Sequence, residues 1–383
     1  WGEYSPATKW SVFNYDVKLL NPQFTLTSDT LRYNTMSKVA SIVGPSNIDS
    51  KENHIYSELG FYDTQNGQAE LLNRSILTNE GKQLTGDSLF YDRNKRFGEA
   101  FNNVEFTDTI NKSMLKGDYC RYEELTEYAF ATDKAVAVDF SQGDSLFLHA
   151  DTLQLYTYHL KTDSMFREMR AFHKVRIYRT DVQGVCDSLV FSSKDTCLTM
   201  YQDPILWNNQ QQLLGEKIMV YMNDSTIDWA HIQNQALSVE KLDSVNFNQV
   251  AGKDMKAYFK DGEMHQVDVL GSVRVVYYWM EKDSTLMGMN VSETSELSVF
   301  LENRKMKKML MKPKTNGVFY PMDQLPADKM KLDNFAWFDY VRPLDKKDIF
   351  VWRGKKEGQG LKKSARGAAP LPNKKLFKKE GKE

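Results

Sequence analysis

The chain of 383 residues balances 50 Lys/Arg against 51 Asp/Glu, and its 41% hydrophobic and 12% aromatic content sustains a core and excludes a disordered polymer. The charge is unevenly placed: positions 341–383 hold 14 basic and 5 acidic residues (+9), which leaves 36 basic and 46 acidic residues before them (−10). An acidic body repels phosphate backbones, which excludes nucleic acid as a partner of the main domain, and no run of about 18 apolar residues offers a membrane-spanning helix.

The sequence opens at Trp1 with neither Met nor a signal-like segment and reads as a processed or truncated piece. A short motif then recurs: a small residue, an acid, any residue, an aliphatic, any residue, and an aromatic or aliphatic. The copies are Ser28-Asp29-Thr30-Leu31-Arg32-Tyr33, a degenerate Ser57-Glu58-Leu59-Gly60-Phe61-Tyr62, Gly86-Asp87-Ser88-Leu89-Phe90-Tyr91 and Gly117-Asp118-Tyr119-Cys120-Arg121-Tyr122. Three more follow, Ala150-Asp151-Thr152-Leu153-Gln154-Leu155, Cys186-Asp187-Ser188-Leu189-Val190-Phe191 and Gly215-Glu216-Lys217-Ile218-Met219-Val220. Counted at the aliphatic position (31, 59, 89, 120, 153, 189, 218) the steps are 28, 30, 31, 33, 36 and 29 residues, the mark of a repeat array.

Each unit passes through a polar turn, such as Asp92-Arg93-Asn94-Lys95, into a second segment that often has Asn or Gly before an alternating strand. Asn102-Asn103-Val104-Glu105-Phe106, Lys174-Val175-Arg176-Ile177-Tyr178 and Ser272-Val273-Arg274-Val275-Val276-Tyr277 are examples. Their period of two predicts strands with one buried face, two or three per unit, in a repetitive antiparallel sheet. Residues 295–311 space Leu297, Phe300, Leu301 and Met309 like a helix, yet a shift of 42 residues lays them on 253–269, where Asp261-Gly262 marks a hairpin turn. Strand, turn, strand is the prediction there as well.

Six of the ten prolines lie at or beyond Pro313, among the aromatics of 334–340 and 350–352. The expected division is therefore 1–142 and 143–312 as two runs of repeats, 313–352 as a Pro- and aromatic-rich segment packed on the sheet, and 353–383 as a basic flexible tail.

Several chemistries suggest themselves. Gly86-Asp87-Ser88-Leu89 and Gly143-Asp144-Ser145-Leu146 spell the GDSL tetrapeptide of an esterase family, and Asp228-Trp229-Ala230-His231 has its D-x-x-H spacing. A hydrolase needs one nucleophile, whereas here the tetrapeptide occurs twice and cognate positions drift to Thr30, Tyr119 and Thr152. The repeated acids lack the glycine-dense turns of a calcium roll and are expected to cap turns through backbone N–H groups. The six histidines form no ligand-spaced pair, so no metal or cofactor site is expected. Cys120 sits where other copies place Leu and reads as a buried hydrophobe. Cys186 and Cys197 flank a predicted hairpin, and the sequence leaves open whether they form a disulfide.

The aliphatic and the final residue of each motif are two apart and share a face, so stacked units would line an apolar trough. Such a trough either closes as a dry core or stays partly open to acyl chains. The recurring small-Asp-x-Leu-x-Tyr strand, above all 143–156, GDSLFLHADTLQLY, resembles the OstA-like proteins of Bacteroidetes, relatives of LptA and of the periplasmic part of LptD, over roughly residues 20 to 340. The resemblance implies an all-β, repetitive antiparallel β-jellyroll (β-taco) of stacked hairpins, as one run or two consecutive segments. It implies a non-catalytic component that holds lipid A acyl chains of lipopolysaccharide and bridges the periplasm towards the outer membrane. Its expected partners are lipopolysaccharide and other Lpt-type jellyrolls, joined head to tail by strand addition. The residues expected to meet lipid are Leu31, Tyr33, Leu89, Tyr91, Tyr122, Leu153, Leu155, Leu189, Phe191, Ile218 and Val220. The competing expectation is a structural or adaptor protein of the envelope whose closed core docks partners by its strand edges and basic tail.

Overall fold

The computed structural model describes residues 1–356 apart from positions 23, 52, 142, 224, 225, 261, 262, 282, 284, 303 and 304. Its first thirteen strands are β1 (Gly2–Ser5), β2 (Trp10–Asn21), β3 (Phe24–Asn34), β4 (Val39–Ser50), β5 (Asn53–Asp63), β6 (Gln68–Asn79), β7 (Lys82–Asp92), β8 (Phe97–Asp108), β9 (Ser113–Glu123), β10 (Tyr128–Thr132), β11 (Val136–Asp139), β12 (Leu146–His149) and β13 (Thr152–Tyr158). The remainder are β14 (Phe166–Tyr178), β15 (Val182–Ser192), β16 (Cys197–Tyr201), β17 (Ile205–Asn208), β18 (Gln211–Leu214), β19 (Lys217–Met222), β20 (Ile227–Lys241), β21 (Phe247–Lys260), β22 (Glu263–Met280), β23 (Leu286–Glu302), β24 (Lys305–Lys312) and β25 (Asn316–Pro321). All belong to one sheet whose pairings are antiparallel, so the repetitive all-β architecture expected from the alternation is the one observed. Residues 295–302 and 305–311 are strand in β23 and β24, with Val269, Leu297 and Met311 side by side. The expected turn at Asp261-Gly262 and the basic tail beyond 356 lie outside the described residues.

Strand register threads the motif aliphatics into one row. It runs from Phe13 through Leu31, Ile42, Gly60, Leu71, Leu89, Ala100, Cys120, Ala131 and Leu153, then by way of Leu189, Ile218 and Val269 to Met311. A second row runs from Leu19 through Leu26, Ile48, Ile55, Leu77, Leu84, Phe106, Leu115, Ala137, Leu148 and Ile177. Between the rows the chain repeatedly enters the left-handed region, at Tyr15-Asp16, Gly44, Asn73-Arg74, Asn102-Asn103, Asp133-Lys134, Lys174, Gln202-Asp203, Asn234-Gln235 and Gly271-Ser272. Asn, Asp and Gly tolerate that conformation, and the ladder skips register where it occurs. Aligned bulges make a crease, and the sheet folds along it until its halves face each other. A Cβ on Gly184, in the second half, would come within 3.2 Å of Met200 Cε in the first.

The crease explains the start of the motif. Ser28, Ser57, Ala150 and Cys186 are buried where the halves converge, and the Ser28 and Ser46 hydroxyls meet there at 2.7 Å. A Cβ on Gly215 would stand 2.5 Å from Ile232 Cγ2, and one on Gly252 would stand 2.5 Å from Val269 Cγ1, so only small residues fit. The motif acids do not cap turns as expected. They lie on the outer side of the crease and take side chains of neighbouring bulges: Asp87 accepts from Asn103 at 2.7 Å, Asp118 pairs with Lys134 at 2.6 Å and Asp151 with Lys174 at 3.1 Å. Turn capping falls instead to strand-end acids such as Asp92, whose Oδ1 accepts from the N–H groups of Asn94 and Lys95. In the degenerate second copy the inward residue is Gly60, not Leu59, so the steps from 31 to 60 and from 60 to 89 are both 29 residues. Cys186 and Cys197 are free thiols. Cys197 faces Ser192, six residues along β15 from Cys186 and roughly 20 Å away at the rise of a strand, so this fold forms no bridge between them.

Behind the second half-sheet, outward residues on β4 to β9 are mostly polar, as at Asn47, His54, Thr78, Glu105 and Lys116, with Tyr56, Ile76 and Met114 among them. From β11 onward they become Val136, Val138, Val185, Ile205, Trp207, Leu237 and Val239, and the segment 322–352 crosses that apolar face as a strap. Leu332 packs beside Tyr278 and Met289, Phe338 and Val341 pack on Ile205 and Trp207, and Ile349 packs on Val136 and Val138. Three buried glutamines fasten it. Gln249 donates to Met330 O (2.8 Å) and accepts from Leu332 N (2.9 Å), Gln212 donates to Ala336 O (2.9 Å) and accepts from Phe338 N (2.8 Å), and Gln183 accepts from Arg342 Nε (2.7 Å). The Gln212 and Gln249 amides stand in for a sheet neighbour that the strap lacks. Gln212→Leu is expected to leave a buried C=O and N–H unpaired, at about 1–3 kcal/mol per group, read as a lower urea midpoint.

The strap's far end is sensitive to pH. The His149 ring packs tilted against Phe350, centroids 4.8 Å apart, with Nδ1 2.7 Å from Ala135 O. Burial pushes its pKa below the usual value and Arg176 and Lys174 add to the push, while the Ala135 carbonyl and Asp151 oppose it. The unfolded chain therefore binds a proton that the folded one refuses, so the stability due to neutral His149 is present above about pH 6.5 and is lost as pH falls below it. Thermal unfolding at pH 7.5 and 5.5 checks this: the midpoint drop is expected to shrink in His149→Gln.

Candidate functional site

The folded sheet presents two apolar walls. On the first wall, Leu31, Leu89, Leu153, Leu189 and Ile218 occupy the row nearer the crease. Tyr33, Tyr91, Tyr122, Leu155, Phe191 and Val220 occupy the next row out. Across β3 to β10 that outer row alternates Tyr33, Tyr62, Tyr91 and Tyr122 with Ala40, Ala69, Gly98 and Ala129, so small residues leave space beside each ring.

The second wall is absent from the sequence-derived candidates. Leu26, Leu84, Leu115, Leu148 and Leu213 each stand five residues before a motif aliphatic, and in a flat strand an odd spacing puts two residues on opposite faces. The crease inverts that parity, so both point inward. The five-residue offset was the signal available.

Exposure divides the trough. On β2 to β9 the second wall is half-buried at Leu19, Ile48, Ile55, Leu77, Leu84, Phe106 and Leu115, and on the first wall Tyr91 and Tyr122 are 41% and 47% exposed. From β12 onward the halves close on each other: Leu148 is 4% exposed, and Leu189, Met200, Ile218, Ile232 and Val275 are 0% exposed and belong to one packed cluster. The eleven sequence-derived residues are thus divided. Tyr33, Tyr91 and Tyr122 line the open stretch, with Leu31 and Leu89 buried at its base; Leu153, Leu189, Ile218 and Val220 belong to the closed cluster, and Leu155 and Phe191 lie half-buried farther out along the same strands.

Electrostatics along the open stretch are quiet. Burial pushes the Cys120 thiol up to about 12, which leaves it protonated and unreactive. Burial and then Glu124 raise Tyr91, whose hydroxyl donates to Glu124 at 3.2 Å. The esterase constellation is not assembled, because His231 pairs with Asp254 rather than Asp228. Ser88 adjoins Leu89 and His231 adjoins Ile232, nine strand spacings apart along the first row, or roughly 43 Å. Among the described residues no cluster of His, Cys, Asp or Glu could hold a metal ion, and no helix is long and apolar enough to cross a membrane.

Comparison with known proteins gives one family match: residues 1–29 fit the model described as OstA-like protein, which supports the OstA-like resemblance from a segment that ends within the first repeat copy. A structural comparison pairs the chain with LptH, the LptA-homologous periplasmic component of the lipopolysaccharide transport device of Pseudomonas aeruginosa. That pairing has 12% identity over 32% of this chain and 82% of LptH, with a TM-score of 0.26. No curated protein matches.

Proposed function

We propose that this protein is a non-catalytic lipopolysaccharide-binding component of an envelope transport system, acting in the periplasm on the path to the outer membrane and holding lipid A acyl chains in the open stretch of the trough. The observation that carries the proposal is the second-wall row, half-buried over β2 to β9 at all its positions except Leu26, together with the outer tyrosine row, where Tyr91 and Tyr122 are 41% and 47% exposed. An acyl chain gains about 0.8 kcal/mol per buried CH₂, so an apolar lining suffices for affinity without dedicated polar contacts. The turn after Tyr91 carries Arg93, Lys95 and Arg96, so a phosphate-bearing headgroup emerging beside that ring meets positive charge, offset in part by the Glu124 that pairs with Arg96. The family match over residues 1–29 supports the same reading.

Docking to another jellyroll by strand addition would use the first edge of the array, where Tyr4 and Leu20 are 49% and 73% exposed on β1 and β2. The closed half from β12 favours a second reading, an adaptor that docks partners by its edges and takes no lipid. Titration with a fluorescent fatty acid separates the two. Saturable uptake displaced by lipopolysaccharide is expected, and a folded protein that takes up no probe leaves the adaptor.

A further inference from the structure

We infer that the trough is a receptacle with one mouth rather than a conduit: an acyl chain seats along β2 to β9 and stops at a wall of packed side chains where β10 to β13 begin. The inference rests on the acyl-binding reading above and adds a direction to it. From Phe13 to Ala131 the open stretch spans eight strand spacings, roughly 38 Å. Near the crease the walls meet even in the open stretch, Leu26 with Leu31 and Leu84 with Leu89, while the second wall from Ile48 to Leu115 stays half-buried. At the end of that stretch Ala131 and Ala150 are 0% exposed, Leu148 and Leu153 are 4% and 3% exposed, and all four join one packed cluster. Farther along, Met200 reaches across to Gly184. A chain advancing past this point would have to displace close-packed groups rather than water.

Two independent features agree. The strap reaches the second half-sheet at β11, where Ile349 packs on Val136 and Val138, so the wall is braced from behind at the place where the trough closes. At the other end of the array, β24 pairs, among the described residues, only with β23 and bears Lys307, Lys308 and Lys312 ahead of Pro313, and lysine and proline on an edge oppose the addition of another sheet. No continuing trough is favoured there. Lipid taken in over β2 to β9 must leave by the same opening.

The test irradiates the full chain with a diazirine-bearing 16-carbon fatty acid, with and without excess unlabelled fatty acid, and maps the labelled peptides by mass spectrometry. Competed label is expected on peptides containing Leu77, Leu84, Phe106 or Leu115, with less than a tenth of that yield on those containing Leu189, Met200, Ile218 or Ile232. Competed label of similar yield on both sets overturns the single mouth while the acyl reading stands. Absence of competed label throughout rejects the acyl reading and the inference together.

Discussion

Removal of residues 322–383 is expected to make the protein aggregate. The strap covers a contiguous apolar face that includes Val185, Ile205, Trp207, Leu237, Val239 and Phe247, and most of these side chains are under 6% exposed with it in place. Uncovering them creates an exposed patch of the kind that drives association. It also strips Gln212 and Gln249 of their backbone partners in the strap and Gln183 of the Arg342 guanidinium. A milder lesion grades the same claim: Phe338 is 2% exposed, and Phe338→Ala should cost about 3–5 kcal/mol in urea unfolding while the protein stays monomeric by size-exclusion chromatography. A truncated chain that elutes as a monomer and unfolds at the unchanged urea midpoint would show that the strap is an ornament.

The second large effect separates stability from binding. Leu189, fully buried in the closed half, should lose about 2–5 kcal/mol of stability on Leu189→Ala, with fatty-acid affinity unchanged wherever the protein remains folded. Leu84 is half-buried on the open wall, so Leu84→Asn should cost about 1 kcal/mol of stability. Its amide, however, sits in the path of the acyl chain, and desolvating it without a partner costs about 1–3 kcal/mol, so affinity should fall about tenfold or more. Chemical denaturation and probe titration on the same samples read both quantities. Equal effects of the two substitutions on binding would mean that the open and closed stretches do not differ in function.

The sequence made the repeat, the strands and the first wall legible because all three depend on local periodicity. Leu31, Leu89 and Leu189 share a motif position, and register alone brings them into one row. Residues 295–311 were also legible, since the 42-residue shift overrides their helical spacing. What stayed hidden depends on the crease. Left-handed bulges such as Asn73-Arg74 and Asn102-Asn103 reverse which face points inward, so Leu26, Leu84 and Leu115 look outward to any reading that assumes flat strands. The same fold gives the motif acids their partners, because Lys134 and Asn103 reach Asp118 and Asp87 only from bulges on neighbouring strands. Where the trough closes could not be read from the motif either: Leu89 and Leu189 occupy identical motif positions, yet Leu89 sits in a small cluster and Leu189 in the large packed one.

The central claim is that the half-buried stretch over β2 to β9 takes acyl chains. Native mass spectrometry of the purified full chain titrated with lipopolysaccharide tests it most directly, with Leu84→Asn as the matched control. The account predicts a saturable adduct on the wild type, weakened about tenfold in the variant. A folded wild type that forms no adduct, or one whose adduct is indifferent to Leu84→Asn, would contradict it.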